Sequence, residues 1–212
     1  MIVAILASIA EILPIIFYLI FLKRNRGEGL WVIFLYCVLS LLTEVLYGIF
    51  KSHIVFSVFL IVQFTLFSFY FYSSLKERIF KYIPIICGVV FYVIAALNFT
   101  ANRSFDSVAA STGSVLIIIY CILLLYEQIK DPEIIFVYNT KRFWVIIAIF
   151  LYFSATLFLY VYYNTLSAEQ RSSYWLINNF FEILKNILFS ISFIMKKNAP
   201  RSYQLDNLDP DI

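Results

Sequence analysis

Long apolar runs alternate with short polar clusters along the whole chain. Seven windows hold none, one or in a single case two charged residues over about 20 positions, the length an α-helix needs to span hydrocarbon. They run Ile2 to Leu22, Leu30 to Phe50, Ile54 to Leu75, Tyr82 to Thr100, Val108 to Tyr126, Phe143 to Tyr163, and Tyr174 to Met195. A backbone surrounded by lipid must satisfy its own hydrogen bonds, so each window predicts a helix. The chain thus reads as an all-α polytopic membrane protein, a seven-helix transmembrane bundle over residues 1–197. The remaining stretch, residues 198–212, is polar, ends in Asp206, Asp209, Pro210 and Asp211, and reads as a short disordered tail.

The polar clusters set the orientation, because short cytoplasmic loops retain Lys and Arg. Three basic residues follow the first window (Lys23, Arg24, Arg26), three follow the third (Lys76, Arg78, Lys81), three the fifth (Lys130, Lys141, Arg142) and three the seventh (Lys196, Lys197, Arg201). The intervening connections hold one apiece: Lys51, Arg103 and Arg171. This alternation predicts seven crossings with the N-terminus outside and the C-terminus cytoplasmic. A cleaved signal peptide would need basic residues before its apolar stretch, whereas here they come after it. Asn98-Phe-Thr and Asn102-Arg-Ser match the glycosylation pattern on the expected outer side.

Composition narrows the classes further. Residues of hydrophobic type make up 63% and charged residues only 14%, roughly half the charged share of a soluble domain. The longest connection, Glu127 to Arg142, is too short for a separate soluble domain, so any function lies in the bundle, its loops or a partner. The net charge of +3 follows the loops and reports membrane orientation, with no nucleic-acid partner implied. Cys37, Cys87 and Cys121 fall inside windows, where a thiol behaves as a small apolar group. With His53 the lone histidine, in the short connection after the second window, no metal site and no cofactor are expected.

Ionisable residues inside the windows carry the functional clue, since each costs about 2.5 to 3.5 kcal/mol at a helix centre and needs a partner or a wet cavity. They are Glu11, Glu44, Glu182 and Lys185, joined by the amides Gln63, Asn178, Asn179 and Asn186. At 100° per residue Asn178, Glu182 and Lys185 fall within about 60° of one another, which predicts a polar stripe facing the bundle interior. Glu182 and Lys185, three residues apart, can pair there, and the plain reading is an ion pair that holds helices together.

Depth groups the rest. Counting 1.5 Å per residue from the outer end, Glu44 lies roughly 9 Å in, Glu182 about 12 Å, and Gln63, Glu11 and Lys185 about 13 to 17 Å. Each has polar or aromatic neighbours at helical spacing: Ser8 and Tyr18 with Glu11, Ser40 and Tyr47 with Glu44, Phe67 and Tyr70 with Gln63. Ser154, Thr156 and Tyr160 occupy the matching half of the sixth window. Converging, these faces would form an outer-half pocket for a small polar or cationic ligand, with Glu11, Glu44, Gln63, Asn178, Glu182, Lys185, Tyr47, Tyr160 and Trp175 as its candidate residues. The competing reading has the same groups serving only as interhelical contacts.

Other chemistries have less to stand on. Lys185 sits midway along the seventh helix, as the Schiff-base lysine of retinal proteins does, but its acid is at i−3 and the third window offers Gln63 in place of an acidic counter-ion. Zinc hydrolases and intramembrane serine proteases need histidines inside the bundle. An intramembrane enzyme acting through carboxylates alone is the remaining enzymatic alternative.

The runs FWVIIAIFLYFSATLFLYVYYN from Phe143 and YWLINNFFEILKNILFSISF from Tyr174 resemble a family of small, uncharacterised bacterial multi-pass proteins, found alone or ahead of signalling domains. That resemblance implies a seven-helix module of the bacterial inner membrane with a sensory role and a cytoplasmic signalling partner. The expected function is therefore a sensor or receptor, with a small transporter using the same pocket as the alternative.

Overall fold

The computed structural model describes residues 2–27, 29–98, 107–132, 134, 136–163 and 165–196. The glycosylation patterns and the 198–212 tail fall wholly or partly outside them. The described chain is helical throughout, with no strand among the described residues: α1 (Ile2–Ile20), α2 (Leu22–Asn25), α3 (Leu30–Phe50), α4 (His53–Ser74), α5 (Arg78–Asn98), α6 (Ser107–Lys130), α7 (Lys141–Tyr162) and α8 (Ala168–Ile194), plus a 3-10 turn at Val137–Asn139. Six helices, α3 to α8, are long and apolar enough to cross a membrane, and α1 adds a shorter apolar run, Leu6–Ile20.

Helix ends differ from the hydropathy windows where polar groups extend a helix beyond its apolar part. The α8 helix starts six residues before Tyr174 because Ser167 and Gln170 form a reciprocal capping box, each side chain bonding the other's backbone N–H. The α6 helix runs on to Lys130. Its last turns carry the buried Glu127, whose carboxylate accepts the backbone N–H groups of Lys76 and Glu77 at 2.9 Å each, satisfying donors at the start of α5. The first window splits: the chain bends at Phe21 into the single turn of α2, where Asn25 is buried and Arg24 lies over the Phe21 ring. Gly27 and Gly29, both at positive φ, then turn it into α3.

Consecutive long helices pack side by side from α3 to α8, and the ring closes as α8 packs on α1 and α1 on α3. The α4 helix also reaches α6. Its inward face is aromatic: Phe64 stacks on Phe91 with centroids 3.8 Å apart, and Phe67 contacts Tyr36 and Phe153. Gly113 on α6 permits that stack, since a Cβ there would stand 3.0 Å from the Phe91 ring. On the outside, large side chains such as Ile86, Val89, Leu97 and Phe158 are mostly exposed, a surface suited to lipid and costly in water.

Candidate functional site

Five helices contribute to one cleft of about 250 Å³ at the end of the bundle where α3 passes into α4 and α7 turns toward α8. The α1 face supplies Ser8 and Glu11, α3 supplies Ser40, Thr43 and Glu44, and α4 supplies Phe56, Phe59 and Gln63. From α7 come Tyr152 and Tyr160, and from α8 Trp175, Asn178, Asn179 and Glu182. Within each set most residues stand three, four or eight apart, so each set is one stripe of its helix turned to a common axis.

The two serines bond across the helix pair. Ser8 on α1 donates to Glu44 on α3 at 2.7 Å, and Ser40 on α3 donates to Glu11 on α1 at 2.8 Å. Antiparallel helices put these levels in register, because the chain deepens from residue 8 to 11 on α1 as it does from 44 to 40 on α3. Glu11 is 7% exposed, and its second oxygen, Oε2, is buried without a hydrogen-bond partner. Such an orphaned acceptor is expensive unless something occupies the space before it.

Beneath the cleft lies the third carboxylate's partner. The Lys185 ammonium, 1% exposed, donates to Glu182 at 2.5 Å and to the Tyr36 hydroxyl at 2.6 Å. It also lies over the rings of Tyr152 and Tyr36, 4.4 and 4.8 Å from their centroids. Tyr152 passes the network on, donating to Asn178 at 3.2 Å and standing 3.4 Å from the Tyr160 hydroxyl. Glu182 is thus paired with a cation, whereas Glu11 and Glu44 accept hydrogen bonds from serine hydroxyls, which carry no charge. The cleft and its floor thus bring three carboxyl side chains together with one ammonium.

Of the residues singled out from sequence, Glu11, Glu44, Gln63, Asn178, Glu182, Tyr160 and Trp175 all line the cleft. Lys185 does not line it but anchors its floor through Glu182. Tyr47 is also outside the lining and packs against Phe56 with the rings tilted, centroids 4.4 Å apart. Tyr18 lies elsewhere, against Phe34 and Phe193, and Ser154 is not among the lining residues. The sequence reading missed Tyr36 and Tyr152, although each continues a polar stripe by one turn: Tyr36 precedes Ser40 and Glu44, and Tyr152 precedes Thr156 and Tyr160, all at spacing four. Phe56 and Phe59 carry no signal that separates them from core aromatics.

Among the described residues no cluster of three or more His, Cys, Asp or Glu side chains has a metal-holding arrangement. No protein-family model, curated protein or solved structure matches this chain, so the chemistry of the cleft itself carries the functional argument.

Proposed function

We propose that this protein is a sensory, receptor-type membrane module that takes a small cationic or polar ligand into the cleft and signals its presence to a cytoplasmic partner. The observation that carries this reading is the convergence of Glu11, Glu44 and Glu182 in an aromatic-walled cleft with a buried, unpartnered carboxylate oxygen. Carboxylates supply charge, and the Trp175, Tyr160, Phe56 and Phe59 rings supply faces on which an ammonium rests. A cation reaching Glu182 would compete with Lys185 for that carboxylate, so occupancy bears on the contact between α8 and Tyr36 of α3.

The proposal includes a bacterial inner-membrane setting, with α1 as a seventh crossing, the cleft facing outward and the C-terminus in the cytoplasm. Nineteen residues of α1 rise about 28 Å at 1.5 Å each, close to the thickness of hydrocarbon. The basic loops that follow α1, α4 and α6 lie away from the cleft, as the positive-inside rule expects of the cytoplasmic face. The cytoplasmic ends of α7 and α8 are tied by Ser192, which donates to the Lys141 carbonyl at 3.0 Å, so a shift of one is felt by the other.

One feature supports transport as a second reading. Pro14, inside α1 and three residues from Glu11, cannot donate to the Ala10 carbonyl, and such interruptions accompany substrate sites in transporters. Two assays separate the readings. Butylammonium and tetramethylammonium should raise the unfolding temperature of the detergent-solubilised protein, less so in Glu11→Gln, without uptake of either by reconstituted vesicles. Uptake lost in Glu11→Gln would favour the transporter. Absence of both stabilisation and uptake across the panel would refute a cation site, and turnover abolished by Glu182→Gln would replace it with an enzyme.

A further inference from the structure

A second concavity, of about 570 Å³, lies at the opposite end of the bundle around the α4–α5 turn, lined by Tyr72, Lys76, Arg78, Lys81, Tyr82 and Ile85. It shares no residue with the cleft. The turn is held by the two backbone bonds to Glu127, and Arg78, Lys81, Tyr82 and Ile85 then follow at helical spacing on the first turns of α5.

The cations here are not equivalent. Lys76 is engaged by Asp131 at 2.6 Å. Among the described residues neither Arg78 nor Lys81 has a carboxylate within ion-pair distance, and Lys81 stands 6.0 Å from the Tyr72 ring. Glu77 is the one acid within the turn. The positive end of the α5 dipole adds to the same sign. Immediately deeper, Ile85 and Val89, four residues apart, are 51% and 61% exposed on the outer face of α5. Charged head position, aromatic collar and apolar track follow one another along a single helix face, the order of parts in an amphiphile whose head is an anion.

We propose that this groove binds the phosphate headgroup of an anionic phospholipid, with Arg78 and Lys81 on the phosphate and an acyl chain along Ile85 and Val89. The inference rests on the bundle lying in a membrane and is independent of what the cleft binds. Arg78 offers two parallel N–H donors to phosphate oxygens, and Lys81 a point charge. A soluble phosphate uses the cations alone; the apolar track selects the lipid.

The test compares phosphatidylglycerol with phosphatidylcholine added to the full-length protein in detergent, read as thermal unfolding. Phosphatidylglycerol should stabilise the wild type more than phosphatidylcholine does. Its apparent affinity should fall about fivefold for each cation removed in Arg78→Gln and Lys81→Gln. Lys23→Gln with Arg26→Gln, which removes two charges from α2 and the turn that follows it, should leave the response intact. An equal loss in that control would reduce the effect to diffuse surface charge and overturn the site. Stabilisation by inorganic phosphate matching that by phosphatidylglycerol would overturn the lipid as occupant. Should the Arg78 and Lys81 variants fail to fold, a photoreactive phosphatidylglycerol on the wild type decides: labelling over residues 72–85 supports the groove, and labelling confined to other basic turns contradicts it.

Discussion

Lys185 and Lys141 are both buried, at 1% and 3% exposure, yet they are held in different ways. Lys185 lies mid-helix and bonds side chains, the Glu182 carboxylate and the Tyr36 hydroxyl. Lys141 opens α7 at the other end and bonds the Arg24 carbonyl at 3.1 Å and the Asn25 side chain at 2.7 Å. Around it the polar groups turn to the backbone: Asn25 donates to the Phe193 carbonyl, Arg24 to those of Phe193 and Ile194, and Ser192 to that of Lys141. Helix ends leave carbonyls and amides without intrahelical partners, and that end of the bundle uses its polar side chains to satisfy them. The cleft's carboxylates and amides lie more than a turn inside their helices, where the backbone bonds itself, so these side chains face one another across the helix interfaces. Polar groups that close on the backbone hold the structure; polar groups that converge on a cavity with an acceptor left over point to binding.

The comparison can be broken by mutation, and the largest effect is expected at Lys185. Lys185→Met should destabilise the protein by about 3 to 5 kcal/mol, because it leaves Glu182 charged without its partner. Combining it with Glu182→Gln should recover much of that loss, measured as a double-mutant cycle of unfolding in detergent. Equal stability of the single and double variants would count against a buried pair.

Next comes Lys141→Met, which abandons the Arg24 carbonyl and the Asn25 amide oxygen and should cost about 1 to 3 kcal/mol. Butylammonium binding should be unaffected, and a loss of binding would erase the distinction between the two ends. Glu11→Gln should behave in the opposite sense. Butylammonium binding should weaken tenfold or more, about 1.4 kcal/mol, while the unfolding temperature stays level or rises because an anion lacking a cationic partner has been removed. The smallest effects belong to the serine bonds. Ser8→Ala and Ser40→Ala should each cost about 0.6 kcal/mol, the mean for interhelical hydrogen bonds in a membrane, and additivity of Ser8→Ala with Glu44→Gln would deny their contact.

Much of this was legible before the structure, for a physical reason: hydrocarbon tolerates so few polar groups that the apolar windows delimit the helices and the exceptions mark the interior. Helical spacing likewise named most of the cleft lining, because helical geometry decides which residues share a face. What that geometry leaves open is which helix lies opposite. Ser8 was paired by spacing with Glu11 and Ser40 with Glu44, whereas the actual bonds cross between α1 and α3. Tyr36 and Tyr152, which hold the Lys185 ammonium between their rings, look from sequence like ordinary aromatic residues of a span rich in them. Lys141 and Glu127 were read as charges of a long connection; the structure buries both, since helix-end amides and carbonyls draw them in.

The central claim is that carboxylates from α1, α3 and α8 share one cleft with room and charge for a small cation. Calorimetric titration of butylammonium into the detergent-solubilised protein tests it directly. Saturable one-site binding in the wild type, weakened at least tenfold in both Glu11→Gln and Glu182→Gln and unchanged in Lys141→Met, is the result expected. Heat that never saturates, or an isotherm that all four proteins share, would contradict it.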